Sequence, residues 1–472
     1  MAQAIAFPSM YANEPNRFIR NSIARLAALL SLLTPALALA QRPRIFVLTD
    51  ISSLTAGVRE PDDGQSLIRL LLHSTEFDIE GIVASSNMRH GQVVRPELAL
   101  QAIDAYASVH RNLLLHDRRF PQPSALRAVV KAGQPVAGPE TPYSESVGDG
   151  KDTAGSQWLI EVADKPDPRP LWVLIWGGSA DLAQALWRVR HDRSPAQQLA
   201  FASKLRVHSI YDQDSTGTVI KQEWPDLFYI TRNHGIRGMY RAGDSSLVSA
   251  QWVTTHVNEG HGPLGALYPN YKGGDIWART LGPVQGVKEG DTPSFLFLFP
   301  NGLNMPDRPE LGGWGGRMNP VGTRRLRWTD AADGDAAPDD PDPRMSAVYR
   351  WRSDFQNEMQ ARLDWCLRPP KEANHPPVVR VLGSGSAMLR HSAIHRFDAS
   401  GSVDPDGDAL DFDWSIYPPA PGSLRIEAIN GGRAVLHVPK QGELPQSISI
   451  VLRVRDRGTP PLSRYLRVEL KR

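Results

Sequence analysis

The chain has 472 residues, of which 41% are hydrophobic and 22% charged, a composition that excludes a wholly disordered protein. Lysine and arginine number 53 against 51 aspartates and glutamates, so the net charge of +2 gives no reason to expect nucleic acid as a partner. The single cysteine, Cys366, excludes an internal disulfide framework and a cysteine-based zinc cluster.

The first 40 residues have the parts of a secretory signal peptide. Arg17, Arg20 and Arg25 precede an apolar run, Leu26–Ala40, that ends in small residues. This run is shorter than the roughly 20 residues that a membrane-spanning helix needs. The sequence therefore predicts export, as a secreted or periplasmic protein without a membrane span.

Residues 42–320 alternate short apolar runs with amphipathic stretches. The predicted strands are Arg44–Thr49, Ile79–Ser85, Leu171–Trp176, Leu205–Tyr211 and Phe295–Phe299, and the predicted helices are Gly64–Ser74, Pro96–His110 and Ala180–Arg190. Unbroken apolar strands that alternate with helices are typical of an α/β fold, in which helices cover both faces of an open, mainly parallel sheet.

The composition changes twice after residue 320. Residues 321–344 are acidic and proline-rich, which predicts a solvated loop or linker, and Ser346–Leu367 has apolar residues at helical spacing. We expect residues 321–374 to pack on the first domain. From residue 375 to 472 the apolar period becomes two, which predicts a C-terminal β-sandwich. Its predicted strands are Val378–Leu382, Ile394–Asp398, Leu410–Ile416, Leu424–Ile429, Arg433–Val438 and Ser447–Asp456.

Acidic residues gather behind the first predicted strand. Asp50 follows that strand, and Glu60, Asp62 and Asp63 precede or open the next helix. Ligands of open α/β sheets bind beyond the carboxyl ends of the strands, so these acids are well placed for chemistry. Helix capping accounts for one of them, whereas several carboxylates at one strand end repel one another unless a cation is present. A Ca²⁺ site and a metal-free helix cap are the two interpretations.

The same segment resembles nucleoside hydrolases, whose first strand ends in the signature D-x-D-P-G-x-D-D. Thr49-Asp50 and Asp62-Asp63 are similar to its later part, with the spacing expanded. Further motifs follow in order: FDIEGIVASSN, WGGSADLAQAL, YDQDSTG, GHGPLGALYP and EGDTPSFLFLFPNGL. Together they resemble the secreted cellulose-binding proteins that join a nucleoside-hydrolase-like domain, here 42–320, to an Ig/cadherin-like β-domain, here 375–472.

The resemblance implies a calcium site built from separate parts of the chain. Asp50 matches the aspartate that touches both the calcium ion and the attacking water, and Asp63 matches a bidentate calcium ligand. Ala180 or its neighbour would supply a backbone carbonyl. Asp291 matches the late aspartate that completes the metal site and touches the sugar.

Sugar contacts are implied at two further positions. Asp62 matches a residue that binds a sugar hydroxyl, and Asn87 matches an asparagine that contacts the sugar. The chain departs from the family where Gly290 replaces a histidine before the late aspartate. His234 and His261 are therefore the alternative candidates for protonating the leaving group.

One mid-chain segment has no secure counterpart. Asp212, Gln213 and Asp214 are candidates for the place of the family's mid-chain sugar-binding segment.

Two functions follow from the resemblance. One is a Ca²⁺-dependent hydrolase that cleaves N-glycosidic or related glycosyl bonds in a small sugar or nucleoside-like substrate. Because nucleoside hydrolases are often oligomers, the resemblance also allows an oligomer. The alternative is a non-catalytic protein that binds cellulose or another polysaccharide. Trp314, flanked by four glycines, is the candidate for an exposed tryptophan that stacks on sugar, whereas Trp172 and Trp176 lie on a predicted buried strand.

The C-terminal domain contains a second acidic segment. Asp404, Asp406 and Asp408 alternate with small or turn-forming residues. A structural Ca²⁺ site and a metal-free Asp/Gly turn explain this pattern equally well.

Overall fold

The computed structural model describes residues 42–55, 61–85, 93–273, 282–333, 342–381, 388–420 and 424–472. Residues Arg42–Arg472 form one structural unit. The predicted leader, Glu60 and Asn87 lie outside the described residues. Within the described part of the chain, no helix is both long and apolar enough to cross a membrane.

An eight-stranded sheet organises the part of the chain that precedes the β-domain. Its strands are β1 (Arg44–Thr49), β2 (Asp78–Ala84), β3 (Val130–Ala132), β4 (Leu171–Ile175), β5 (Leu205–Ile210), β6 (Phe228–Arg232), β7 (Met318–Val321) and β8 (Arg327–Asp330). Their order is β3-β2-β1-β4-β5-β6-β8-β7, and only the β7–β8 pair is antiparallel. Because β1 pairs with β4, with Leu48 opposite Ile175, both strands end at the same edge of the sheet.

Helices cover both faces of this sheet. Their ranges are Asp62–Leu72, Pro96–His116, Pro123–Ala128, Tyr143–Ser146, Ala154–Asp164, Ala180–Asp192, Pro195–Ser203, Thr216–Glu223, Ala250–Val253, Gly262–Leu267, Pro293–Leu296, Ser346–Tyr349 and Arg352–Asp364. Val47 packs in one hydrophobic core with Leu67, and its neighbour Leu48 packs in another with Leu182. Successive residues of β1 thus face opposite cores, as expected for a strand buried on both faces. The predicted α/β class is confirmed.

The predicted strand Phe295–Phe299 is wrong. This segment contains the end of a short helix, Pro293–Leu296, which begins with a proline at its first turn. The phenylalanines are buried in the core without strand pairing. Apolar runs of this length do not distinguish a buried strand from a buried helix.

The predicted linker 321–344 is partly wrong. β8 lies inside it and pairs with β6, and Asp330 at its end forms a buried ion pair with Arg232. Only residues 334–341 of this segment lie outside the described residues. The helix predicted after it is two helices, which Arg350 and Trp351 separate.

The C-terminal part consists of two antiparallel three-stranded sheets, ordered β10-β13-β14 and β11-β12-β9. The strands are β9 (Ile394–Asp398), β10 (Leu410–Ile416), β11 (Arg425–Asn430), β12 (Arg433–His437), β13 (Ser447–Asp456) and β14 (Ser463–Lys471). β14 was not predicted. The predicted strand Val378–Leu382 is limited to one bridge between Val378 and Val403, and Leu382 lies outside the described residues.

Buried polar contacts join the β-domain to the α/β part. The backbone N–H of Tyr465 on β14 donates to the carbonyl of Asn301 at 2.9 Å, and the Tyr465 hydroxyl donates to Asp354. Arg467, also on β14, donates to the carbonyls of Leu303 at 2.9 Å and Gly312 at 3.0 Å. Contacts of this kind fix the β-domain directly on the segment 301–312 and on the helix that contains Asp354.

Candidate active site

Four aspartates from distant parts of the sequence meet in one cavity. Asp50, Asp62, Asp63 and Asp291 line a space of about 190 Å³ beyond the carboxyl end of β1. Carboxylate oxygens of Asp62, Asp63 and Asp291 lie within 4.8 Å of one another. In the described part of the chain, no other set of three or more histidine, cysteine, aspartate or glutamate side chains has this arrangement. The close trio contains Asp62 and not Asp50, whereas the resemblance implied Asp50 as a ligand.

Asp50 and Asp63 lie at the junction between β1 and the first helix. Asp50 directly follows β1, Asp63 is in the first turn of Asp62–Leu72, and the hydroxyl of Thr49 donates to the Asp63 carboxylate. Both aspartates are buried. Burial and, second, the negative charge of Asp62 raise the pKa of Asp63 to about 7. The cavity thus disfavours carboxylate charge unless a cation lies beside it.

Hydroxyl contacts hold the segment that contains Asp291. The Ser294 hydroxyl donates to the backbone carbonyl of Asp291 at 2.6 Å. Thr292, which follows Asp291 in the chain, donates to the Ser66 hydroxyl at 3.0 Å and thereby contacts the helix Asp62–Leu72. Asp291 is 2% exposed, so its position depends on these buried neighbours.

A buried ion pair clamps the same helix to the segment that precedes Asp291. Arg69 donates to Glu289 through two hydrogen bonds, of 2.5 and 3.0 Å, and both side chains are fully buried. One turn earlier, Gln65 accepts a hydrogen bond from the backbone N–H of Lys288 at 2.6 Å. Bidentate arginine–carboxylate pairs fix orientation as well as distance, so this clamp sets the geometry of the two acidic segments.

Aromatic and basic side chains complete the cavity wall. They are Trp176, Tyr211, Tyr240, Arg237 and Lys288. Tyr211, which directly follows β5, has a φ of 63°, which is a strained backbone conformation for a bulky residue. Its N–H donates to the carbonyl of Arg232 at 2.9 Å. The sequence patterns did not identify Tyr211, Tyr240, Arg237 or Lys288. Two signals were available: Tyr211 adjoins Asp212 in the chain, and Lys288 is close to Asp291.

The predicted backbone ligand Ala180 is not at the cavity. It is the fully buried first residue of the helix Ala180–Asp192 and does not belong to the cavity lining. A carbonyl in a helix points along the axis toward the next turn, which explains why it is not presented to the cavity. Among the mid-chain candidates, Asp212 and Gln213 line the cavity. Asp214 instead accepts hydrogen bonds from Thr216.

The two predicted histidine proton donors are not part of the lining either. His261 is buried with its Nε2 3.2 Å from Asp364, and His234 is partly exposed with its Nδ1 3.1 Å from Asp342. Each histidine is therefore engaged elsewhere.

The prediction that Trp314 is exposed for sugar binding is wrong. Trp314 is fully buried, stacks on Phe299 with ring centroids 4.9 Å apart, and donates to the Tyr465 hydroxyl at 3.2 Å. A Cβ on Gly313 would stand only 1.9 Å from the Oδ1 atom of Asn304. The neighbouring glycines thus permit close packing of this loop and do not expose the indole.

The acidic segment of the β-domain forms a hydrogen-bonded turn. Asp404 accepts hydrogen bonds from the backbone N–H groups of Asp406 at 2.8 Å and Asp408 at 3.2 Å. Asp406 also pairs with His375 at 3.0 Å. These contacts are compatible with both interpretations that the sequence left open, a metal-free turn and a structural Ca²⁺ site.

The fold and the acid-lined cavity define a nucleoside-hydrolase-like domain. Residues 44–318 match the family described as cellulose-binding Sde182, nucleoside hydrolase-like domain, and residues 395–471 match the cellulose-binding protein Sde0182, C-terminal domain. The chain belongs to this Sde182 family.

A solved structure agrees with this assignment. A nucleoside hydrolase-related hypothetical protein from Saccharophagus degradans, described as associated with carbohydrate metabolism, is 32% identical with a TM-score of 0.73. The match covers 91% of this chain and 99% of that one. The effector protein XOO4466 is 12% identical over 73% of this chain and 97% of its own, with a TM-score of 0.35, which is too distant a likeness to indicate a shared fold. No curated protein matches the chain.

Proposed function

We propose that the protein is an exported hydrolase of N-glycosidic or related glycosyl bonds and that the aspartate-lined cavity is its active site. The observation that carries this proposal is the meeting of Asp50, Asp62, Asp63 and Asp291 around one space. Carboxylates that surround a sugar favour the positive charge that develops on its ring as the glycosyl bond breaks.

The residues fit a calcium ion. Ca²⁺ prefers oxygen ligands, and Asp62, Asp63 and Asp291 offer carboxylate oxygens within 4.8 Å of one another. Burial first, and then the charge of Asp62, raises the pKa of Asp63, so a cation beside these crowded acids would relieve their repulsion. Asp63 and Asp291, with Asp50 or Asp62, would hold the ion. When bound, the ion would orient a water molecule and vicinal sugar hydroxyls.

The aspartates themselves would divide the remaining work. Asp50 would accept the proton of the attacking water, because it directly follows β1 and borders the cavity. Asp62 and Asp291 would accept hydrogen bonds from sugar hydroxyls. Trp176 would bound the sugar with an apolar face, since it lines the cavity and its Nε1 is held by Ser294 at 2.8 Å.

The size of the cavity favours a small substrate. Its volume of about 190 Å³ is below the range of about 300–1,000 Å³ that is usual for ligand pockets. A single glycosyl residue suits this space better than a polysaccharide chain does. The burial of Trp314 also removes the tryptophan that the sequence offered for stacking on a polysaccharide.

Polysaccharide binding without catalysis is the second candidate. Its support is the family description, which names cellulose binding for the relatives. Cellulose lies outside cells, which agrees with the predicted export.

Turnover and binding assays separate the two candidates. Nucleosides and 4-nitrophenyl glycosides would be incubated with Ca²⁺ and wild-type protein or Asp50→Asn, and both proteins would be mixed with insoluble cellulose. The hydrolase predicts turnover that falls roughly 10²–10⁴-fold in Asp50→Asn, the usual contribution of a catalytic base. Cellulose binding by both proteins with no turnover of any substrate would contradict the hydrolase and leave the binding protein.

A further inference from the structure

A lysine and a tyrosine meet at the cavity wall, outside the acid cluster. The ammonium group of Lys288 donates to the Tyr240 hydroxyl at 3.2 Å and lies 4.4 Å from the centre of the Tyr240 ring. Lys288 is 4% and Tyr240 6% exposed. Both line the same cavity as the four aspartates. The pair therefore faces the space that a substrate would occupy.

The backbone around each residue fixes this pair. The N–H of Lys288 donates to Gln65 at 2.6 Å, which ties it to the helix that carries Asp63. The N–H of Tyr240 donates to the carbonyl of Arg237 at 3.0 Å, at the end of the 3₁₀ turn Gly235–Met239.

The turn that precedes Tyr240 lies near the acids. A Cβ on Gly290 would stand 3.4 Å from the Asp62 carboxylate on one side and 4.0 Å from Ile236 on the other. A bulkier residue at position 290 would fill this gap. Both distances are ordinary van der Waals contacts, so the turn Gly235–Met239 lies beside the acid cluster.

A leaving group with a basic nitrogen or oxygen needs a proton as it departs. His234 and His261 do not line the cavity. Arginine does not release its proton in proteins, so Arg237 is not a donor. Asp212 is held in an ion pair by Lys221. Two tyrosines belong to the described lining. Tyr211 packs against the guanidinium of Arg237, whereas Tyr240 packs against the ammonium group of Lys288.

We propose that Tyr240 is the general acid that protonates the leaving group and that Lys288 is its positioning residue; this inference rests on the proposed hydrolase. As the bond from the anomeric carbon to the leaving atom breaks, its electron pair stays with that atom. The Tyr240 O–H bond breaks, and its proton joins the same atom. Water adds its oxygen to the anomeric carbon and gives one proton to Asp50. The ammonium of Lys288 stabilises the phenolate until Asp50 releases its proton to solvent and solvent reprotonates Tyr240.

Leaving groups of different basicity test this assignment. A nucleoside and the 4-nitrophenyl glycoside of the same sugar would be compared in wild type, Tyr240→Phe and Lys288→Met, because 4-nitrophenolate departs without a proton. Tyr143→Phe is the matched control, since Tyr143 packs against the other core, away from the cavity. We expect Tyr240→Phe to lose roughly 10²–10⁴-fold on the nucleoside and much less on the 4-nitrophenyl glycoside. Lys288→Met should show the same selectivity with a smaller loss.

The outcomes distinguish this inference from the function on which it rests. If the wild type turns over both substrates and Tyr240→Phe loses the same activity on each, the role of Tyr240 is overturned but the proposed hydrolase is not. Turnover of neither substrate by the wild type would overturn the proposed hydrolase and this inference with it. A variant with reduced thermal stability would be assayed below its own unfolding temperature. The ratio of its activities on the two substrates then remains the readout.

Discussion

Gly177 lies directly against Asp50: a Cβ on Gly177 would stand 2.6 Å from the Cβ atom of Asp50 and 2.9 Å from its Oδ1 atom. The contact follows from the pairing of β1 with β4, which ends with Leu48 opposite Ile175 and brings the two following turns together. The glycine in the second turn therefore leaves the room that the Asp50 side chain occupies.

Gly177→Ala should displace Asp50 without unfolding the protein. Overpacking of this kind costs about 1–3 kcal/mol of stability, and a shift of about 1 Å in a catalytic group can cost roughly 100-fold in rate. The checks are thermal unfolding and turnover. Gly401→Ala is the control, because its added Cβ would have no neighbour nearer than 3.9 Å. Unchanged turnover in Gly177→Ala would show that Asp50 does not need this position.

Asp63 should make the metal-free protein less stable as the pH rises. Burial and Asp62 raise its pKa to about 7 in the folded state, from about 3.9 in an unfolded chain. A group with a raised folded-state pKa stabilises the fold at low pH, and this contribution is lost between about pH 4 and pH 7. In the presence of a chelator, Asp63→Asn should therefore gain up to about 4 kcal/mol over wild type at pH 8 and nothing at pH 3. Urea unfolding at the two pH values measures it, and a gain that is equal at both would contradict the pKa shift.

Much of the fold was predictable because buried parallel strands have an unambiguous pattern. The run Arg44–Thr49 was predicted correctly to the residue, and Leu171–Trp176 to within one residue. The segment Phe295–Phe299 is equally apolar but has no pairing partner, and this depends on contacts distant in sequence. Alternating polar and apolar residues on the β-domain strands likewise identified most of them, whereas β14 was missed.

The acidic half of the site was predictable, and the other half was not. Asp50, Asp62 and Asp63 stand at a strand end and a helix start, positions that a sequence pattern marks directly. Tyr240 follows a 3₁₀ turn and Lys288 lies in an irregular segment. Neither segment has a periodic sequence pattern that would predict its place at the cavity. Trp314 was misassigned because glycines beside an aromatic residue predict freedom, whereas here they allow tight packing.

Glu358 should contribute strongly to the attachment of the β-domain. Burial alone would raise its pKa, but the guanidinium groups of Arg464 and Arg362 outweigh burial and hold the pKa far below its ordinary value. Glu358→Gln should lose about 3–5 kcal/mol at pH 7, the usual cost of breaking a buried pair. Because the folded-state pKa is lowered, the loss should shrink as the pH falls below about 4.3.

Chemical unfolding at pH 7 and pH 3 measures this contribution. Glu427→Gln is the control, since Glu427 is exposed and its replacement should change stability by less than about 0.5 kcal/mol. A Glu358→Gln loss that does not depend on pH would mean that packing, and not charge, holds this contact.

Trp314→Ala should destabilise the protein, and the folded variant should match the wild type in a cellulose-binding assay. Truncation of a fully buried tryptophan costs about 3–5 kcal/mol, here through lost stacking on Phe299 and the lost hydrogen bond to Tyr465. Thermal unfolding gives the first quantity, and cellulose pull-down well below the unfolding temperature gives the second. Loss of cellulose binding in a folded variant would instead indicate that Trp314 takes part in the recognition of cellulose.

Calorimetric titration with Ca²⁺ tests most directly the claim that the aspartates meet around a cation. Wild type, Asp63→Asn and Asp408→Asn would be titrated after treatment with a chelator, the last as a control for the acidic turn of the β-domain. We predict that Asp63→Asn binds Ca²⁺ at least roughly tenfold more weakly than wild type, because a buried carboxylate ligand is lost, and that Asp408→Asn binds like wild type. Equal Ca²⁺ affinity in wild type and Asp63→Asn would contradict the claim.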